Sequence, residues 1–163
     1  MISVALVEPE IPQNTGNVAR LCAATRTPLH IVGATGFRLD DRAVRRAALD
    51  YWPEVTLHRH PDVKALYQAQ AGSRFLYLST KAEKIYTDWS FGEDDCLVFG
   101  RETRGLPEEL LKANWNHCLK IPMLNPKVRS LNLANAVAIV LYEALRQTHH
   151  FSQVLTPLNQ TPP

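Results

Sequence analysis

At 163 residues, with 45% hydrophobic and 21% charged side chains, the chain has the length and balance of one domain with a substantial core. A net charge of +2 does not by itself announce a nucleic-acid binder, and no apolar stretch reaches membrane-spanning length. Cys22, Cys96 and Cys118 are odd in number, lack a CxxC spacing and lie in apolar runs. They read as buried free thiols of a cytoplasmic protein, not as disulfides or metal ligands.

The chain opens on a strand-like run, Ile2–Val7, rather than a signal peptide. It continues into Pro9-Glu10-Ile11-Pro12-Gln13-Asn14-Thr15-Gly16-Asn17-Val18-Ala19-Arg20, where Asn14 is placed to cap a helix with Val18, Leu21, Cys22 and Thr25 on one face. Leu29–Val32 is a second strand. Arg38, Arg42, Arg45 and Arg46 then crowd nine residues. On a helix capped by Asp40 or Asp41 and running to Leu49, Arg42, Arg45 and Arg46 adjoin on one face. That face either meets an anionic partner or is solvated and paired with Asp40, Asp41 and Asp50.

A strand over Glu54–His58, a helix opened by Pro61-Asp62 and running to Gln70, and a strand over Phe75–Leu78 follow. The strand Cys96–Phe99 runs into Gly100-Arg101-Glu102-Thr103-Arg104-Gly105-Leu106-Pro107-Glu108. Gly100 permits a turn or a close backbone approach to a ligand, and Gly105 a second special conformation. The charges between them exceed what a structural turn needs. Pro107, Glu108 and Glu109 mark the start of a helix spanning Leu106 to Asn114. A last strand, Cys118–Ile121, leads through Pro122-Met123 to Arg129-Ser130-Leu131-Asn132-Leu133-Ala134-Asn135-Ala136, which opens a helix over Asn132–Gln147.

That helix is apolar nearly all round: Ala134, Val137, Ala138, Leu141 and Leu145 on one side, Leu133, Val140 and Ala144 beyond. Its second cover is either the interior of a monomer or another subunit. Residues 1–150 read as one domain, and 151–163, with Pro157, Pro162 and Pro163, as a loosely ordered tail. Short apolar strands alternating with helices give an α/β fold, a mostly parallel sheet with helices on both faces, whose ligand site lies at the carboxyl ends of the strands.

Several chemistries are disfavoured. Gly33-Ala34-Thr35-Gly36 lacks the third glycine of a dinucleotide site, no P-loop is present, and His58 with His60 or His149 with His150 are too few for a metal centre.

The three segments Pro9–Arg20, Phe99–Glu108 and Ile121–Ala136, in this order and spacing, resemble the three motifs of the SpoU branch of the SPOUT methyltransferases. The chain looks most like the small YibK/TrmL type, from Ile2 to Gln147. The resemblance implies a C-terminal trefoil knot, an α/β knot fold, that binds S-adenosyl-L-methionine. It implies methyl transfer to the ribose 2′-OH of wobble nucleotide 34, a cytidine or modified uridine, in the anticodon stem-loop of tRNA, with no metal. Another tRNA or rRNA nucleotide, or a non-catalytic RNA-binding knot protein, are the alternatives. The small surface of one copy and the all-round apolar last helix favour a homodimer.

By the same resemblance the cofactor cradle comprises Leu78, Thr80, Gly100, Arg101, Glu102, Ile121, Pro122, Met123, Ser130, Leu131 and Asn132. Arg20 is the catalytic residue, with Asn14, Asn17 and Glu102 around it. Guanidinium stays charged and carries no acceptor lone pair, so Arg20 suits charge stabilisation better than proton abstraction. Glu102 either takes the proton, orients Arg20 or binds cofactor. RNA-facing candidates are Arg46, Arg104, Arg129 and Tyr142, with Lys127 beside them; Tyr142 either stacks on a base or closes the core edge. The sequence departs from the pattern at Ala48, where relatives commonly carry glycine, and at the Pro126-Lys127-Val128 insert.

Overall fold

A computed structural model describes residues 1–39, 42, 44, 46 and 49–153. Among them run seven strands: β1 (Ser3–Val7), β2 (Leu29–Val32), β3 (Leu57–His60), β4 (Arg74–Leu78), β5 (Lys84–Ile85), β6 (Asp95–Phe99) and β7 (Cys118–Lys120). They form one sheet in the order β3-β2-β1-β6-β4-β7-β5, and every pairing is parallel. The helices are α1 (Pro12–Thr25), α2 (Val63–Ala69), α3 (Glu108–Ala113) and α4 (Leu133–Gln147), and Arg42, Val44 and Arg46 also have helical backbone.

The strands β1, β2 and β6 are buried along their whole length, and their apolar character follows from cover on both faces. Along β1, Val4 and Leu6 join Val18, Ile31, Leu97, Val137 and Leu141 in one core. Their alternates Ala5 and Val7 join Val32, Leu66, Tyr77, Val98 and Leu111 in the other. Helices α1 and α4 therefore cover one face, and α2 and α3 the other. All three cysteines are buried and free; burial pushes the Cys22 thiol up to about 12 and that of Cys96 to about 11.

β7 lies between β4 and β5, strands consecutive in sequence. The chain thus returns into a space it has already bounded before α4 packs beside α1. No helix among the described residues is long and apolar enough to cross a membrane.

Several boundaries differ from the sequence expectation. The third strand is not Glu54–His58 but Leu57–His60, because Glu54 ends a 3-10 turn, Leu49–Glu54, that holds Pro53. Asn14 does not cap α1: Pro12 starts the helix earlier and Ile11 holds the cap position without a side-chain bond. That frees Asn14 for the site. The two-residue strand Lys84–Ile85 has too short a pattern to register in sequence. Asp62 does cap α2, accepting from the Ala65 N–H at 2.8 Å.

The arginine-bearing segment is only partly described. Asp40, Asp41, Arg45 and Ala48, with the expectations resting on them, lie outside the described residues, as do residues 154–163 of the expected tail. At the start of that expected tail, His150–Gln153 form a 3-10 turn whose Phe151 ring stacks on Tyr142, centroids 5.5 Å apart.

Candidate active site

The three sequence segments converge at the carboxyl edge of the sheet. Three strand ends meet there: Leu78 closes β4, Gly100 follows β6 and Ile121 follows β7. Parallel strands leave a crevice at such ends, and here it is a cavity of about 260 Å³. Leu78, Ile121, Leu131 and Leu133 supply apolar walls, Ser79, Thr80 and Ser130 supply hydroxyls, and Lys81, Arg104 and Arg129 bring positive charge.

Of the expected cradle, Leu78, Thr80, Gly100, Arg101, Glu102, Ile121, Met123, Ser130 and Leu131 line this cavity. Pro122 and Asn132 are absent from its wall. Asn132 is occupied elsewhere. Its Oδ1 accepts from the N–H groups of Ala134 and Asn135 at 2.9 and 3.3 Å, capping α4. Its Nδ2 donates to Asn14 Oδ1 at 2.9 Å.

Asn14 in turn donates from Nδ2 to Glu102 Oε1 at 3.1 Å. The Glu102 carboxylate also accepts from the backbone N–H groups of Glu10 and Ile11, at 2.8 and 3.1 Å. One continuous chain of hydrogen bonds, Glu102–Asn14–Asn132, therefore ties one residue from each segment together. Both Glu102 oxygens are filled by N–H donors, and Arg20 is not among them. Orientation of the loop, the work this geometry serves, is none of the three roles the sequence left open, and Glu102 also lines the cavity.

The loop is fastened further. Arg101 places Nε 2.9 Å from Glu8 Oε2, and its Nη2 contacts the same oxygen. Glu8 makes the turn out of β1 at φ +50, a conformation uncommon outside glycine. Thr103 donates from its hydroxyl and its N–H to Glu10 Oε2, at 2.7 and 3.1 Å; these bonds hold the Glu10 carboxyl below its ordinary range. The Glu8 pairing likewise raises Arg101 above its ordinary value. Sequence gives Glu8, Glu10 and Thr103 no role of their own, because a pairing across more than ninety residues leaves no spacing signal.

Of the two uses the sequence allows Gly100, a turn or a close approach to a ligand, the turn is the one visible within the chain, and Gly100 also lines the cavity. A Cβ there would lie 2.1 Å from the Gly105 carbonyl carbon and 2.2 Å from the Leu106 nitrogen. The loop closes on itself: Gly105 donates to the Arg101 carbonyl at 2.9 Å and Arg101 donates back at 3.2 Å. Gly105 sits at φ +69, the left-handed region that suits glycine. The two glycines shape the loop, and the loop shapes the cavity.

The remaining candidates separate. Asn14 is buried, whereas Asn17 and Arg20 are exposed and share an outward stripe of α1 with Gln13. Arg20 does not line the cavity of its own chain; its guanidinium lies over the Tyr51 ring, 5.6 Å from the centroid. Arg104 and Arg129 stand at the cavity, both exposed. Arg46 is exposed, and Tyr142, 46% exposed, rises from α4 near Ile139 at 37%. Lys127 is exposed in the turn fixed by Asn125, whose side chain accepts from the Lys127 N–H at 3.0 Å. No group of three or more metal-ligating side chains occurs among the described residues.

The chain is similar to known proteins over most of its length. Residues 1–142 match the model of the SpoU rRNA methylase family. The tRNA (cytidine(34)-2′-O)-methyltransferase of Saccharophagus degradans is 49% identical over 150 residues, covering 90% of this chain and 96% of that protein. A solved structure described as giving insight into 2-OH methylation of C/U34 on tRNA superposes with a TM-score of 0.86 at 49% identity, over 90% of this chain and 95% of the other. The SpoU methyltransferase AviRb of Streptomyces viridochromogenes, solved with the cofactor AdoMet, matches with a TM-score of 0.76 at 25% identity, over 89% of this chain and 59% of that one.

Proposed function

The chain belongs to the SpoU rRNA methylase family, and from that premise we propose that it methylates the ribose 2′-OH of nucleotide 34 in the tRNA anticodon loop, using S-adenosyl-L-methionine. The observation that carries this reading is the Glu102–Asn14–Asn132 chain, which locks all three motif segments around one cavity. The cavity fits an adenosine-bearing ligand, since apolar walls for a base adjoin the hydroxyls of Thr80 and Ser130. When bound, the cofactor supplies an electrophilic methyl group on a sulfonium.

The protein's part is positioning and electrostatics. A ribose hydroxyl is a poor nucleophile, and charge builds on its oxygen as it reacts. Arg20 supplies fixed positive charge and a planar donor fork for that oxygen and a neighbouring phosphate. The hydroxyl proton passes to solvent, because Glu102 already accepts three N–H groups. Arg104 and Arg129 hold the RNA backbone at the cavity mouth.

Arg20 and Asn17 lie away from the cavity of their own chain, and this supports a homodimer in which one copy brings its Arg20 to the partner's cavity. The exposed stripe of α1 and the exposed Ile139 and Tyr142 of the adjoining α4 provide the surface. The reaction takes place in the cytoplasm, in keeping with the three free cysteines. The C-terminal knot is supported by the return of β7 between β4 and β5.

The test is Arg20→Ala. Turnover on tRNA is expected to fall by roughly 10² to 10³, the range for one preorganised donor, with cofactor affinity by calorimetry unchanged. Full turnover in this variant overturns the role given to Arg20. A natural chain that binds tRNA but no cofactor makes it an RNA-binding relic instead.

A further inference from the structure

Arg20 and Arg101 are held in opposite ways. Arg101 is pinned by the Glu8 carboxylate. Arg20 has no acid partner among the described residues, and its one described contact is the face of Tyr51. Tyr51 belongs to the 3-10 turn Leu49–Glu54, which packs on α1. Its neighbour Trp52 packs against the core, Pro53 restricts the backbone, and the Val55 N–H donates to the Trp52 carbonyl at 3.2 Å. An anchored turn thus presents a ring that is 49% exposed.

We propose that Tyr51 is a positioning residue for methyl transfer: its ring holds the Arg20 guanidinium in the plane and direction the reacting ribose requires. The inference rests on the role given to Arg20 above. The chemistry explains why a ring stands there and not an acid. A carboxylate would take two of the five N–H donors and offset the charge, as Glu8 does at Arg101. An aromatic face attracts the cation through its quadrupole, leaving the charge whole and the donors at the edge of the fork free. Arg101 is a clamp and can be neutralised; Arg20 has to keep its field for the developing oxyanion.

Single-turnover methylation of a tRNA transcript bearing cytidine 34, by the full chain, tests this. Tyr51→Leu is expected to lower the rate about 5- to 30-fold, with KM for tRNA and cofactor affinity each within about twofold and an unchanged melting temperature. Tyr51→Phe, which keeps the ring, restores the rate to within about twofold of the natural chain. Tyr51→Glu falls roughly tenfold below Tyr51→Leu, because it orients Arg20 while offsetting its charge. In an Arg20→Ala background, Tyr51→Leu adds no further loss, since the two act as a unit.

A Tyr51→Leu rate equal to that of the natural chain, a Tyr51→Phe rate as low as Tyr51→Leu, or additive losses in the double variant overturns the inference while leaving Arg20's role standing. Full activity of Arg20→Ala overturns both. Methylation at a nucleotide other than 34 overturns only the assigned position, and the same comparison then holds at the nucleotide found.

Discussion

Glu102 is a carboxylate on the cavity wall whose described hydrogen bonds all run to the Pro9–Arg20 segment. Its oxygens take the N–H groups of Glu10, Ile11 and Asn14, the Ile11 bond exposed and the other two part-buried, so removing it unties three donors at once and leaves water to replace the carboxylate. Glu102→Ala is therefore expected to weaken cofactor binding at least about tenfold by calorimetry, since the loop that walls the cavity loses its tie to α1. Loss of turnover with binding intact would instead make Glu102 the proton acceptor. Gly100→Ala addresses the loop from inside: its methyl group would fall within 2.1 Å of the Gly105 carbonyl carbon. It is expected to lower both the melting temperature and cofactor affinity. A variant that melts like the natural chain yet fails to bind would give Gly100 the close ligand approach that the sequence allows beside the turn. Sequence offers a turn at Gly100 but not the tie at Glu102, because an acceptor of three donors leaves no spacing pattern.

The pairing of β2 with β3 carries a pH dependence. His30 is 1% exposed, its Nδ1 lies 2.9 Å from His60 Nε2, and its ring stacks on His58 with centroids 5.0 Å apart. Burial first, then His58 and His60, lowers its pKa from 6.5 to about 4. The folded state thus binds this proton more weakly than the unfolded chain, so the histidine's contribution is complete above pH 6.5 and is lost as pH falls toward 4. The full loss is on the order of 3 kcal/mol. Melting temperatures are expected to drop steeply over that window and less in His30→Leu. Equal slopes in the two proteins would place the acid sensitivity elsewhere. Among elements, sequence resolves those with strong periodic or capping signals: β1, β2, β6 and the Asn132-capped α4. It misplaces the strand after Pro53, where a proline-bearing turn displaces the start to Leu57. It also misses that Leu141 is wholly buried within its own chain, whereas Ile139 and Tyr142 face outward. An all-round apolar pattern does not say which side faces a neighbour.

For the molecule as a whole, Arg20 lines no part of its own chain's cavity, and the proposed role of Arg20 therefore calls for a second copy. Sedimentation is expected to give about twice the 18.4 kDa of one chain. Changing Leu141 would only unfold the core, so the informative variant is Ile139→Asp with Tyr142→Asp on the exposed stripe, expected to release folded, inactive monomers. A fully active natural monomer would remove the need for a partner's arginine. The convergence of the three segments is foreseeable because parallel α/β sheets gather their ligand residues at strand ends. The placement of β7 between β4 and β5 and the absence of Arg20 from the cavity wall are not, since both depend on contacts far apart in sequence. The most direct measurement is the position of the transferred methyl group. The natural chain is incubated with labelled S-adenosyl-L-methionine and tRNA, which is then hydrolysed in alkali and sequenced. The expected result is one alkali-resistant linkage, on the 3′ side of nucleotide 34, where a 2′-O-methyl group blocks attack by the neighbouring hydroxyl. Label on a base, with every linkage still cleaved, would contradict ribose 2′-O-methylation.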